Sequence, residues 1–182
     1  MHVLVTAASR HGSTADIADA LADGLSAHGL EATVLPPDRV ESADGFDAVV
    51  VGSALYVGHW LPEATALVRR CSDALAGCPV WLFSSGPVGA PNRRLVRRMT
   101  ADPLELPELL RLTGAREHRI FAGRLVAEQL SRVQRLALPL FPGLRGDFRD
   151  WGGVGRWSAE IAGALREAGG DAREGPRVGA SA

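Results

Sequence analysis

Ser9, Gly12, Ser13 and Thr14 stand in the spacing S-x-x-G-S-T, directly after an apolar run and at the start of a helical pattern. Loop amides and hydroxyls at a helix N-terminus make a place for a phosphate, because unpaired N–H groups and the helix dipole both favour an anion there. An ordinary helix cap needs one hydroxyl and contributes about 1 kcal/mol. Three hydroxyls around Gly12, which lets the backbone come close, point to more than a cap. The loop has no lysine, and neither has the chain: all twenty basic residues are arginine. That excludes a Walker-type triphosphate clamp and Schiff-base catalysis, and neutral donors suit a phosphate monoester better. The five histidines are scattered at positions 2, 11, 28, 59 and 118, and suggest neither a Ser-His-Asp triad nor a metal cluster. No catalytic acid or base is assigned.

Alternating strands and helices must position this loop. Nearly continuous apolar runs predict strands over 2–6, 32–35, 47–53, 79–85 and 118–122. Ile17, Ala18, Leu21 and Leu25 recur at helical spacing and predict a helix from Ser13 or Thr14 to about 28. Pro62 opens a second helix over 61–75, two helical pieces broken at Pro103 lie between 92 and 113, and a last helix covers 151–168 with Asp150 as its N-cap. The expected fold is α/β, a doubly wound five-stranded parallel sheet with helices on both faces, in which ligands sit beyond the carboxyl ends of the strands. Three loops leave those ends, at 7–13, 54–60 and 86–91, rich in small residues and poor in charge. They suit a flat, partly apolar ring with a phosphate tail.

A chain of 182 residues is expected to form one domain, here 1–168, with a Gly- and Arg-rich tail over 169–182 that reads as disordered. A formal net charge of −1 gives no pull toward nucleic acid. No charged leader and no long apolar run is seen, so the chain reads as cytoplasmic. Cys71 and Cys78 read as thiols, too few for a disulfide framework.

The segments SRHGST, GSALYVGHW and SSGPVG, with HRIFAGRL and GDFRDW further on, together resemble the flavodoxin fold. Within it the chain is most similar to the flavodoxin-like, menaquinone-dependent protoporphyrinogen oxidase family, over 3–164. The resemblance implies FMN as cofactor. Ser9, Arg10, His11, Gly12, Ser13 and Thr14 would then surround its phosphate, with Arg10 facing either the phosphate or solvent. Ala54, Leu55, Tyr56, Val57 and Gly58 would lie along the ring edge, and Ser85, Gly86, Pro87, Val88 and Gly89 on its other side. Tyr56 and Trp60 either stack on ring or substrate or pack internally, and His59 sits at the ring edge or simply on the surface.

Two further features remain open to more than one reading. Arg93, Arg94, Arg97 and Arg98 form a basic cluster in which Arg94 and Arg98 share a helical face. It is either a solvated face or a partner for the carboxylates of a porphyrin-like substrate. The segment 124–149 is too long for an ordinary strand-to-helix loop. Val126, Leu130, Val133, Ala137 and Leu140 fall on one helical face in it, ended by Pro139 and Pro142. It reads as packing on its own domain, a substrate lid, a quinone or peripheral membrane contact, or a homo-oligomer interface. The resemblance implies an enzyme passing electrons from a porphyrinogen through FMN to a quinone. The alternative is a flavodoxin-like electron-transfer protein serving a protein partner.

Overall fold

Each central strand carries apolar side chains on both of its faces, and the chain covers both with helices. The computed structural model describes residues 1–86, 102–125 and 146–171. Strands β1 (His2–Ala8), β2 (Glu31–Leu35), β3 (Ala48–Tyr56), β5 (Val80–Gly86) and β6 (Glu117–Ala122) form one parallel sheet in the order β2-β1-β3-β5-β6. The two-residue strand β4 (His59–Trp60) turns back antiparallel on the end of β3.

Side chains alternate across a strand, so β1 splits its residues between two cores. Val3, Val5 and Ala7 meet Ile17, Leu21 and Leu25 of α1 (Ser13–Ala27) and Trp157, Ile161 and Leu165 of α5 (Trp151–Asp171). Leu4 and Ala8 face the other layer, α2 (Pro62–Arg70), α3 (Ser72–Ala76) and α4 (Leu106–Thr113), through Leu67, Val68, Leu75 and Leu109. In the first core Trp157 meets Phe83 and Phe121 edge-on at 6.2 and 5.5 Å between centroids. Burying a ring of that kind stabilises by roughly 1.5–3 kcal/mol.

The expected parallel sheet is present, with four local corrections. Strand β3 runs to Tyr56 rather than stopping at Ser53, because Ala54 still pairs with Ser85 and Leu55 with Trp60. Ala54, Leu55 and Tyr56 therefore sit on a strand, not in a loop. The helix expected over 61–75 is two, offset at Cys71, whose backbone (φ −102, ψ 16) leaves the helical region while its N–H still bonds Leu67. Helix α5 continues three residues past the expected end, to Asp171, so the start of the presumed tail is helical; 172–182 lie outside the described residues. The long segment after β6 opens and closes on a two-residue ladder, β7 (Arg124–Leu125) with β8 (Gly146–Asp147). Its apolar stripe at 126–140 lies outside the described residues.

Asp150 caps α5 as the sequence predicts, its Oδ1 accepting from the Gly153 N–H at 2.9 Å. Asp150→Ala leaves that N–H without its acceptor and is expected to lower the unfolding free energy by about 1 kcal/mol, measured by urea denaturation.

Candidate functional site

From β1 the chain crosses to β2 on one side and later to β3 on the other, so the carboxyl ends of β1 and β3 flank the switch point of the sheet. Crevices at such points are where open α/β sheets take ligands. The loop at 9–12 leaves β1 here. Gly12 is the N-cap residue of α1, in the left-handed region at φ 83, and no side chain caps the helix. Neither Ser9 nor Ser13 thus acts as the cap that the simplest sequence reading allowed. The Ser9 hydroxyl is buried with no hydrogen-bond partner. The Ser13 hydroxyl instead accepts the backbone N–H of Arg124 at 2.9 Å. Thr14 is buried behind it. Arg10 is exposed to solvent, with its guanidinium over the Tyr56 ring, 4.7 Å from the centroid. The His11 ring stands 6.4 Å from the same ring. Burial raises the Tyr56 phenol and Arg10 opposes this, so the ring stays neutral.

The second wall is the hairpin joining β3 to β4. Val57 and Gly58 both have positive φ, 53 and 82, the pattern of a type I′ turn. Asn-Gly is the usual occupant; a β-branched residue in the left-handed region carries strain of roughly 1–3 kcal/mol. Val57 is nonetheless 84% exposed, and Leu104, whose N–H bonds the Gly58 carbonyl at 2.9 Å, is 71% exposed. Two apolar side chains are thus held out at the crevice edge. Glu105 fastens the hairpin, one oxygen 2.6 Å from His59 Nδ1 and the other accepting the Trp60 N–H at 3.2 Å. Burial opposes ionisation of Glu105, but the hydrogen bonds from His59 and the backbone prevail and lower it. His59 itself is exposed, as its surface reading had it.

Trp60, a residue expected to meet substrate, does not reach the crevice. It is 3% exposed, and its indole N–H donates to Ser84 Oγ at 2.8 Å. That serine stands 2.8 Å from His118 Nε2, and His118 Nδ1 is 3.3 Å from Asp102. Ser84, His118 and Asp102 thus come together in the order of a triad, which their scattered positions did not suggest. A neutral His118 with its proton on Nδ1 satisfies all three groups. Ser84 is fully buried and already accepts from Trp60, so the chain of bonds braces the hairpin against β5 and β6 and offers no nucleophile.

The third wall is partly described. Ser85 and Gly86 are buried at the end of β5, where Gly86 accepts the Gly123 N–H at 2.7 Å. Pro87, Val88, Gly89, Arg94 and Arg98 lie outside the described residues. At the first turn of α1 the structure adds groups that sequence reading missed. Arg149 Nη1 is 2.6 Å from Asp16, and its Nε donates to Asp147 at 2.7 Å. The Arg149 hydrogen bonds pull the Asp147 carboxyl down to about 2. Arg124 approaches Asp16 at 3.9 Å. The one sequence signal was an arginine at each end of the long segment. Among the described residues no helix is long and apolar enough to cross a membrane, and no cluster of ligating side chains could hold a metal.

Residues 4–147 match the model of the flavodoxin domain family. The chain belongs to that family. Solved structures with the same fold include a flavodoxin from the domain Archaea, at TM-score 0.60 and 16% identity over 91% of this chain and 99% of that one. Oxidised flavodoxin 1 from Bacillus cereus aligns at TM-score 0.58 and 16% identity, over 90% and 98%. Rubredoxin oxygen:oxidoreductase from Desulfovibrio gigas aligns at TM-score 0.61 and 16% identity, over 91% of this chain but 36% of the larger one. At such identities these show the fold alone. A stretch of 97 residues is 29% identical to protoporphyrinogen IX dehydrogenase (quinone) of Escherichia coli K12, covering 52% of this chain and 54% of that protein. The chain thus spans about half the length of the curated relatives it matches.

Two measurements check the hairpin and its brace. Val57→Asn relieves the backbone strain and is expected to raise the unfolding free energy by about 1 kcal/mol. Burial lowers His118 below its ordinary value, against the pull of Asp102. The unfolded chain therefore binds this proton first, and stability falls as the pH drops below about 6.5. Urea midpoints taken between about pH 7.5 and 5.5 should decline in the native protein and decline less in His118→Gln.

Proposed function

We propose that this flavodoxin-family chain binds FMN and works as an oxidoreductase of the protoporphyrinogen oxidase type, passing electrons from a porphyrinogen-like substrate to a quinone. The observation that carries the cofactor is the uncapped N-terminus of α1 beside the buried, unpartnered Ser9 hydroxyl. A buried hydroxyl without a partner costs about 1–3 kcal/mol, and such groups in a native fold call for an explanation. A phosphate oxygen supplies the missing partner. Ser9, His11, Gly12, Ser13 and Thr14 would hold that phosphate, with Arg10 closing over Tyr56. Ala54 to Gly58 on one side and Ser85 to Gly89 on the other would flank the ring.

FMN, when bound, supplies the electron and hydride chemistry. The chain's own contribution is to orient and exclude water. Val57 and Leu104 present an apolar edge against which a large apolar substrate would lose contact with solvent. Quinone rings are flat and apolar, a porphyrinogen is a large puckered macrocycle with apolar faces, and the partial relative carries both in its name. Arg94 and Arg98 would pair with the substrate's carboxylates. The exposed Val57 and Leu104 also suit a redox protein docking at the same edge, which keeps the electron-carrier reading as the second choice.

Titration of the purified protein with FMN and with riboflavin, followed by flavin fluorescence, tests the cofactor. Tight FMN binding with weak riboflavin binding is expected, and no binding of either overturns the reading. Ser9→Ala should weaken FMN about tenfold while making the flavin-free protein more stable, since it removes an unsatisfied buried group. Anaerobic oxidation of protoporphyrinogen by a menaquinone analogue then separates enzyme from carrier: turnover supports the enzyme, and flavin binding without turnover favours the carrier.

A further inference from the structure

We infer that Arg124 is the cation with which this loop selects a phosphorylated ligand over its unphosphorylated form, an inference that rests on reading residues 9–14 as the phosphate loop. Two arginines reach the first turn of α1, and they differ in what already holds them. Arg149 is saturated. Its side chain is 7% exposed, Nη1 bonds Asp16 at 2.6 Å, Nε bonds Asp147 at 2.7 Å, and its guanidinium lies 4.5 Å over the Trp151 ring. Arg124, its side chain 32% exposed, reaches the same Asp16 oxygen only at 3.9 Å, beyond hydrogen-bond range, and its Nε is shielded from water with no hydrogen-bond partner among the described residues. An Nε–H shielded from water without an acceptor is costly, and an acceptor brought by a ligand would relieve it.

The backbone fixes where that acceptor belongs. Arg124 donates its main-chain N–H to Ser13 Oγ, the first residue of α1, which anchors the arginine beside the unpaired amides of the helix. With its oxygen accepting that bond, the Ser13 hydroxyl keeps its own proton to donate. The carboxylates nearby would otherwise repel an anion. Asp16 stands in the first turn and Asp147 sits opposite Arg124 in the β7–β8 ladder. Arg149 bonds both and screens them, which leaves Arg124 to act on the ligand. Its planar fork matches two oxygens of a phosphate, a geometry suited to a chain that holds no lysine.

The test compares the native protein with Arg124→Gln and Arg124→Lys, both of which keep the backbone bond to Ser13. FMN, riboflavin and inorganic phosphate are the probes, across a range of salt concentrations. Arg124→Gln is expected to weaken FMN about ten- to a hundredfold, leave riboflavin unchanged, and flatten the salt dependence of FMN binding. Arg124→Lys should restore the salt dependence. Unchanged FMN affinity in Arg124→Gln overturns the inference, and so does an equal loss of FMN and riboflavin, which marks a structural role. If the native protein binds no flavin, the flavin reading falls by itself. Thermal stabilisation by inorganic phosphate that Arg124→Gln abolishes would then still uphold Arg124 as a phosphate ligand, and its absence would remove that as well.

Discussion

The first turn of α1 has backbone donors that no side chain among the described residues caps, and much of the site is arranged around that shortage. Gly12 enters the helix in a left-handed conformation, which turns the loop away from the position where a serine would cap it. Ser13 is occupied by Arg124 from a strand more than a hundred residues later, and Ser9 points its hydroxyl at nothing. Polar groups left open at a sheet's switch point lie where open α/β sheets take ligands. The fold tolerates the cost because α1 is fastened along the rest of its length by Ile17, Leu21 and Leu25 against both the sheet and α5.

Charge in this site is handled by arginine alone, and arginine brings direction as well as charge. Arg149 joins Asp16 to Asp147, and Arg124 joins the same ladder to Ser13, so both ends of the long segment are tied to one turn of one helix. Arg10 is used differently, over the face of Tyr56, where it links the first wall of the crevice to the second.

The second wall is a rigid piece. The type I′ turn, the Glu105 bonds to His59 and Trp60, and the chain from buried Trp60, Ser84 and His118 out to the exposed Asp102 fix it to three different elements. Only such bracing keeps Val57 in a conformation its branched side chain resists. Apolar groups held in strain at an exposed edge belong to recognition more readily than to stability.

Strand and helix order was legible along the chain because buried strands and amphipathic helices write their periods into local sequence, as at residues 3–5, 49–51 and 17–25. The cluster of hydroxyls from Ser9 to Thr14 was visible for the same reason: these residues are neighbours in the chain. Only the tertiary structure decided the rest. For Trp60 stacking and internal packing were both open, and the buried indole bonded to Ser84 decides for packing. Ser84, His118 and Asp102 showed no pattern, since β5 and β6 bring them together across a register that only folding sets. Arg124 and Arg149 were two arginines among twenty until the β7–β8 ladder carried them to α1. Local sequence sets period, turn chemistry and adjacency; which distant side chain comes to stand beside the first turn of α1 depends on the whole packing.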